Sequence, residues 1–94
     1  MAIKTVTGVV EDVNLGLGVQ HPTLTLLTDT GTILTFKLGP ERVLLASDVE
    51  LLPGAALKVK YATSLCTNEL LALEITDADG DVLVLRTDDG LPAW

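Results

Sequence analysis

The chain has little of what usually marks catalysis or nucleic-acid recognition: one cysteine, one histidine, one Phe, one Tyr, one Trp and six basic residues in 94 positions. Each scarcity excludes something. The single Cys66 forbids an intramolecular disulfide and leaves the redox compartment open. His21 and Cys66 offer one soft ligand each, whereas a structural zinc site takes about four in close pairs, so no metal site is expected. His21 is also the one base of its kind, with Ser47, Ser64 and Cys66 in distant segments and no spacing that links them. Nucleophilic catalysis therefore has no signature here, and the chain reads as a non-enzyme without cofactors. Gly16-Leu17-Gly18 lacks the lysine and the following helix of a phosphate-cradling loop.

Long uncharged runs are missing too. The longest, Val13 to Thr28, is broken by Asn14, Gly16, Gly18, Gln20, His21 and Pro22, which excludes a membrane-spanning helix. Residues 1–10 contain Lys4 but no apolar run ahead of a small-residue cleavage site. A cytoplasmic location is expected if the chain is full-length, and a periplasmic or exported one if a signal peptide was removed. Positive charge is scarce: thirteen acidic residues against six basic ones give a net charge of -7. Seven of the thirteen lie between Glu69 and Asp89, beside Arg86 alone, so the C-terminal part should repel polyanions.

Apolar residues, by contrast, are abundant: 48% of the chain, mean hydropathy +0.46 and 19 leucines. The length suits one domain spanning residues 1–94, whose small interior cannot enclose all of them. The surplus points to a protein partner or to self-association.

The apolar residues alternate with polar ones over short runs bounded by Gly, Asp, Asn and Pro, the pattern of half-buried strands. Thr5 to Val13 is the first run, and Val6 and Val10 share one face while Val9 and Val13 share the other. A bend or bulge at Gly8 would reconcile them. Thr23 to Thr28 puts Leu24 and Leu26 on one face, Asp29-Thr30-Gly31 reads as a hairpin turn, and Thr32 to Leu38 carries Leu34, Phe36 and Leu38 inward. Pro40 then suits the start of a short helix with Val43, Leu44 and Ala46 as its stripe. Past Pro53-Gly54, Leu57, Val59 and Tyr61 alternate with Lys58, Lys60 and Ala62 in a fourth strand. Glu69 to Thr76 is a fifth, with Leu71, Leu73 and Ile75 together, and Val82 to Arg86 a sixth. Three strands, a short helix and two strands is the order of an OB-fold, so the expected fold is all-β: a five-stranded Greek-key barrel with one helix between strands 3 and 4 and an added C-terminal hairpin strand.

The segments Thr28-Asp29-Thr30-Gly31, Leu38-Gly39-Pro40, Leu52-Pro53-Gly54, Glu74-Ile75, Leu85-Arg86 and Gly90-Leu91-Pro92-Ala93-Trp94 resemble a family of small, largely uncharacterised bacterial OB-fold domains. The resemblance covers most of the chain from Gly8 onward. It rests on turns and core positions, and it implies the fold more than a function. Such relatives are often exported and sometimes carry a nucleic-acid-binding label. This chain departs from them in having Glu41-Arg42-Val43 where they have aromatics, and Ala55 where they have an acidic residue.

Four surfaces are candidates. Lys37, Lys58 and Lys60 with Tyr61 nearby could form a basic strip for an oligonucleotide or oligosaccharide, although the charge and the few stacking platforms disfavour nucleic acid, and a solvated face is the plainer reading. Asp77-Ala78-Asp79-Gly80-Asp81 has alternating carboxylates, but a calcium loop needs a third before the glycine and a later Glu, so a hairpin turn is expected. The segment Leu91 to Trp94 and the loop from Asn14 to Pro22 are the expected protein contacts, Trp being a frequent hot spot. Alternatively Trp94 folds back to plug its own barrel. The reading is a non-catalytic interaction module, with an oligonucleotide- or oligosaccharide-binding domain as the alternative.

Overall fold

A computed structural model of the chain describes residues 3–14, 22–39, 43–44, 49, 51–64, 67–87 and 91–92. Among these residues six strands follow in order: β1 Ile3–Asn14, β2 Thr23–Thr28, β3 Ile33–Lys37, β4 Ala56–Thr63, β5 Leu70–Asp77 and β6 Val82–Val84. They form one sheet in the order β3-β2-β1-β4-β5-β6, antiparallel but for a pairing of β3 with β5. That parallel pairing, Phe36 with Leu70 and Lys37 with Leu71, joins the two sides and closes the hydrogen bonding into a ring. β6 hangs on β5 outside the ring. Of the expected helix after Pro40, only Val43 and Leu44 are described, both with helical backbone, and the rest lies outside the described residues. Among the described residues no helix is long and apolar enough to cross a membrane.

β1 serves two partners at once. Its residues Gly8 to Asn14 pair with β2, and Ile3 to Val9 pair with β4, so Gly8 and Val9 are bonded on both edges. The expected change of face at Gly8 does not occur there. Val6, Gly8 and Val10 all face inward, and the register shifts between Val10 and Asp12, so that Glu11 is the extra residue and Val13 turns inward after it. Val9 therefore stays outside. Gly8 has a different reason to be glycine: a Cβ there would lie 2.8 Å from Thr28 Cα and closer still to the Leu27 carbonyl.

The inward residues of the ring make one core in which Leu24, Leu26, Phe36, Val59, Ile75 and Leu85 are sealed from solvent. Each such side chain contributes about 1.5–3 kcal/mol of transfer free energy. Phe36 and Tyr61 meet at 5.0 Å between ring centres and 60° between planes, a tilted aromatic contact inside the ring. A second irregularity lies between Lys60 and Tyr61, where Leu73 is the extra residue on β5. It buries Ala62, Ala72 and Leu73 and leaves Leu71, expected inside, only half-buried.

Two hairpins use the same three-residue loop. Thr28 N donates to Thr32 O and Gly31 N to Thr28 O, while Asp77 N donates to Asp81 O and Gly80 N to Asp77 O. The last loop residue is left-handed in both, with φ of 85° at Gly31 and 90° at Gly80, which explains the glycines.

Replacing Gly8 by Ala should force apart backbone that pairs with two strands, lowering stability by about 1–3 kcal/mol. Urea unfolding of Gly8→Ala checks this through the midpoint; an unchanged midpoint refutes the close-approach account.

Candidate functional site

Cross-strand pairing arranges the outer face in rows. Thr7 lies opposite Lys58, Lys58 opposite Thr76 and Thr76 opposite Val82. The next row runs Thr5, Lys60, Glu74, Val84. Lys58 and Lys60 thus share one face, as their spacing implied, and a shallow depression of 150 Å³ lies among Thr5, Lys58, Lys60, Glu74 and Thr76. Opposite charge faces Lys60 across the strands in Glu74.

The other two members of the expected strip are elsewhere. Lys37 is on β3, and because the ring closes through β5, that strand separates it from β4. Its Nζ sits 2.5 Å from Glu69 Oε2. Thr67 Oγ1 donates to the same carboxylate oxygen at 3.2 Å. The pair clamps the point where β3 meets β5, and being partly exposed it adds no more than about 1 kcal/mol. Tyr61 turns inward onto Phe36 and does not join the lysines. Trp94, His21 and Cys66 lie outside the described residues, as does most of the loop from Asn14 to Pro22. Of the serines weighed for catalysis only Ser64 is described, and its Oγ accepts from Thr67 N at 3.4 Å.

Residues that the sequence did not single out make a groove of 290 Å³ beside Lys37. Thr23, Thr35, Asn68 and Glu69 line it with Leu70. Asn68 holds a left-handed φ of 61°, which asparagine tolerates better than most residues, and its N–H donates to Ser64 O to shape the loop. The one signal for this in the sequence was the polar run Thr67-Asn68-Glu69 between two strands.

A third row is apolar. Ala56 of β4 lies opposite Val9 of β1, Val9 opposite Leu27 of β2, and Leu27 opposite Ile33 of β3. Val9 is 43% and Ile33 62% exposed, so the row faces solvent across four strands. Beside it a depression of 340 Å³ runs between Asp29 and Lys58, with Val9 and Ala56 in its wall. Thr7 Oγ1 donates to Asp29 Oδ2 at 2.5 Å at this rim.

Asp77, Asp79 and Asp81 bring carboxylate oxygens within 4.8 Å of one another. The hairpin accounts for the first of them: Asp77 Oδ1 accepts from Asp79 N and Asp81 N, both at 2.9 Å. Aspartate here is a turn former whose side chain replaces backbone acceptors. Compared with models of protein families, with curated proteins and with solved structures, the chain matches none.

Asp77→Ala removes the acceptor of two backbone donors and should cost about 1–2 kcal/mol. Added calcium should leave the wild-type melting temperature where it is. Thermal melts with and without calcium, on both proteins, read the two effects, and a calcium-dependent rise in the wild type alone would overturn the turn account.

Proposed function

We propose that the chain is an OB-type barrel of the small bacterial kind it resembles, with β6 as an added strand, and that it works as a non-catalytic protein-interaction module. The ring of strands β1-β2-β3-β5-β4, with a long β1 shared by two partners, supports the barrel reading. The observation that carries the interaction reading is the apolar row Ala56, Val9, Leu27, Ile33. A folded domain places apolar side chains inward by default, and here the inward Gly8 and Val10 leave Val9 between them outside, in line with two larger neighbours. A contiguous apolar row flanked by Thr7, Lys58 and Asp29 is the composition of a contact surface.

The test is capture from an extract of the source cells with wild type and with Val9→Lys/Ile33→Lys. Both substitutions are at solvent-facing positions, so far-UV circular dichroism should be unchanged. Specific partners identified by mass spectrometry should be lost with the variant. Equal recovery by both proteins overturns the assignment of this row.

The second reading is an oligosaccharide- or oligonucleotide-binding domain, favoured by the polar groove of Thr23, Thr35, Lys37, Asn68 and Glu69 at the place where OB barrels bind ligands. The carboxylate of Glu69 in that groove and the net charge of -7 weigh against the nucleic acid. A gel shift with single-stranded oligonucleotides at low salt should show no complex, and a salt-sensitive shift abolished by Lys37→Ala would establish this reading instead.

A further inference from the structure

The outer face is sorted about β1. In the apolar row the small residue, Ala56, lies on the β4 side of Val9, and the large ones, Leu27 and Ile33, lie on the β2 side. The neighbouring row is sorted by charge. Thr7 stands in its middle, paired with Lys58 on one edge, while on the other Asp29 N donates to Thr7 O at 3.1 Å. Lys58 and Asp29 are both exposed, and among the described residues no carboxylate pairs with Lys58 Nζ. The 340 Å³ depression extends over the small side, where Ala56, Thr76 and Ala78 line it.

A surface sorted in this way fits its own image turned about a two-fold axis along β1. We propose that the apolar row docks on the same row of a second copy of this chain, face to face about that axis. The proposal rests on the reading of the chain as an interaction module that works through this row, and it names the partner. The rotation keeps positions along β1 and sets the β2 side of one copy over the β4 side of the other. Val9 then meets Val9 of the second copy, and Leu27 comes down on Ala56, into the depression. Ile33 approaches Ala78 beyond it. In the neighbouring row Lys58 comes over Asp29 of the second copy and Asp29 over its Lys58, so that two ion pairs flank the central Thr7 residues. Large meets small and positive meets negative twice, which is the self-complementarity that a two-fold interface requires.

Other alignments lose these matches. An axis along the row instead of along the strand sets Leu27 on Leu27 and leaves the depression facing its own copy. It also lays Asp29 over Thr25, next to Asp12. An axis between β1 and β2 sets each Asp29 over Thr7 of the other copy, which brings the two Asp29 carboxylates within one strand spacing and turns Lys58 away from both. In the alignment along β1 the like charges that approach are the two Asp12 residues, one row beyond Val9 and at the rim of the contact.

Reciprocal charge reversal tests the alignment. Light scattering on the wild type should show a dimer fraction that rises with protein concentration. Lys58→Asp and Asp29→Lys should each weaken the dimer about tenfold or more, since either change makes both ion pairs like-charged. The two variants mixed should recover a mixed dimer, and the double variant Lys58→Asp/Asp29→Lys should dimerise by itself. Far-UV circular dichroism establishes that each variant is folded. Asp12→Asn, which touches neither ion pair nor the Thr7–Asp29 bond, should tighten the dimer. A wild type that is monomeric at every concentration overturns this pairing and leaves the capture result at Val9 and Ile33 to stand by itself. A dimer that survives both single reversals, a mixture of folded variants that stays monomeric, or an Asp12→Asn protein that dimerises less than the wild type also overturns it.

Discussion

The structure depends on one strand having to satisfy two neighbours. Along Gly8 and Val9 the backbone of β1 lends one edge to β2 and the other to β4, and it is here that the two halves of the sheet are held together. The approach of Thr28 to Gly8 leaves no room for a side chain, so pairing this close on both edges calls for glycine. Three residues later the extra Glu11 bends the strand. The bend matters for everything downstream, because side-chain direction alternates with a period of two and a one-residue slip would send Leu24 and Leu26 out and Leu27 in. Ring closure at Phe36 and Leu70 completes what the shared strand begins, with the Lys37–Glu69 pair at its rim.

From that geometry follows the division of the surface. The core takes Leu24, Leu26, Phe36 and Val59, and a chain with 19 leucines and a small interior then has apolar residues left over. Ile3, Leu52 and Leu91 are exposed elsewhere, but Val9, Ile33, Val82 and Val84 are grouped. Val9, Leu27 and Ile33 share one row because the strands that carry them are in register, and Val82 and Val84 share one edge because β6 alternates about the buried Leu83. Single exposed apolar residues would need no account. A row across four strands does.

Much of the fold was legible in the residues, and the reason is periodicity. β2, β3 and the first half of β4 alternate cleanly, and their inward leucines, Phe36 and Val59 could be named from spacing alone. Bulges are where spacing stops informing. Gly8 drew the expected irregularity because it is the conspicuous residue in Thr5 to Val13, yet the inserted residue is Glu11, an ordinary side chain that leaves no mark in composition. The same holds at Leu73, where the insertion buries Ala72 and turns Leu71 partly out. The lysine strip divided for a topological reason. Reading along the chain makes β3 and β4 successive strands, whereas in space β5 lies between them, so Lys37 meets Glu69 and only Lys58 and Lys60 share a face. Glu69 and Asn68 gained their place from ring closure, which no local pattern encodes.

Charge ties these features together. A net charge of -7 opposes indiscriminate association, and four acidic side chains stand at the two hairpins: Asp29 beside the apolar row, and Asp77, Asp79 and Asp81 at the loop that leads into β6. The carboxylates that shape the hairpins thus also border the exposed apolar surface. Their repulsion reaches only about 8–10 Å in physiological salt, which is short compared with the row from Ala56 to Ile33 but comparable to the width of one strand pair. Acidic turns of this kind do not prevent contact at the uncharged centre of such a surface. They penalise contacts that slide toward its ends, so the same residues that fix the loops restrict which alignments of two apolar surfaces are tolerated.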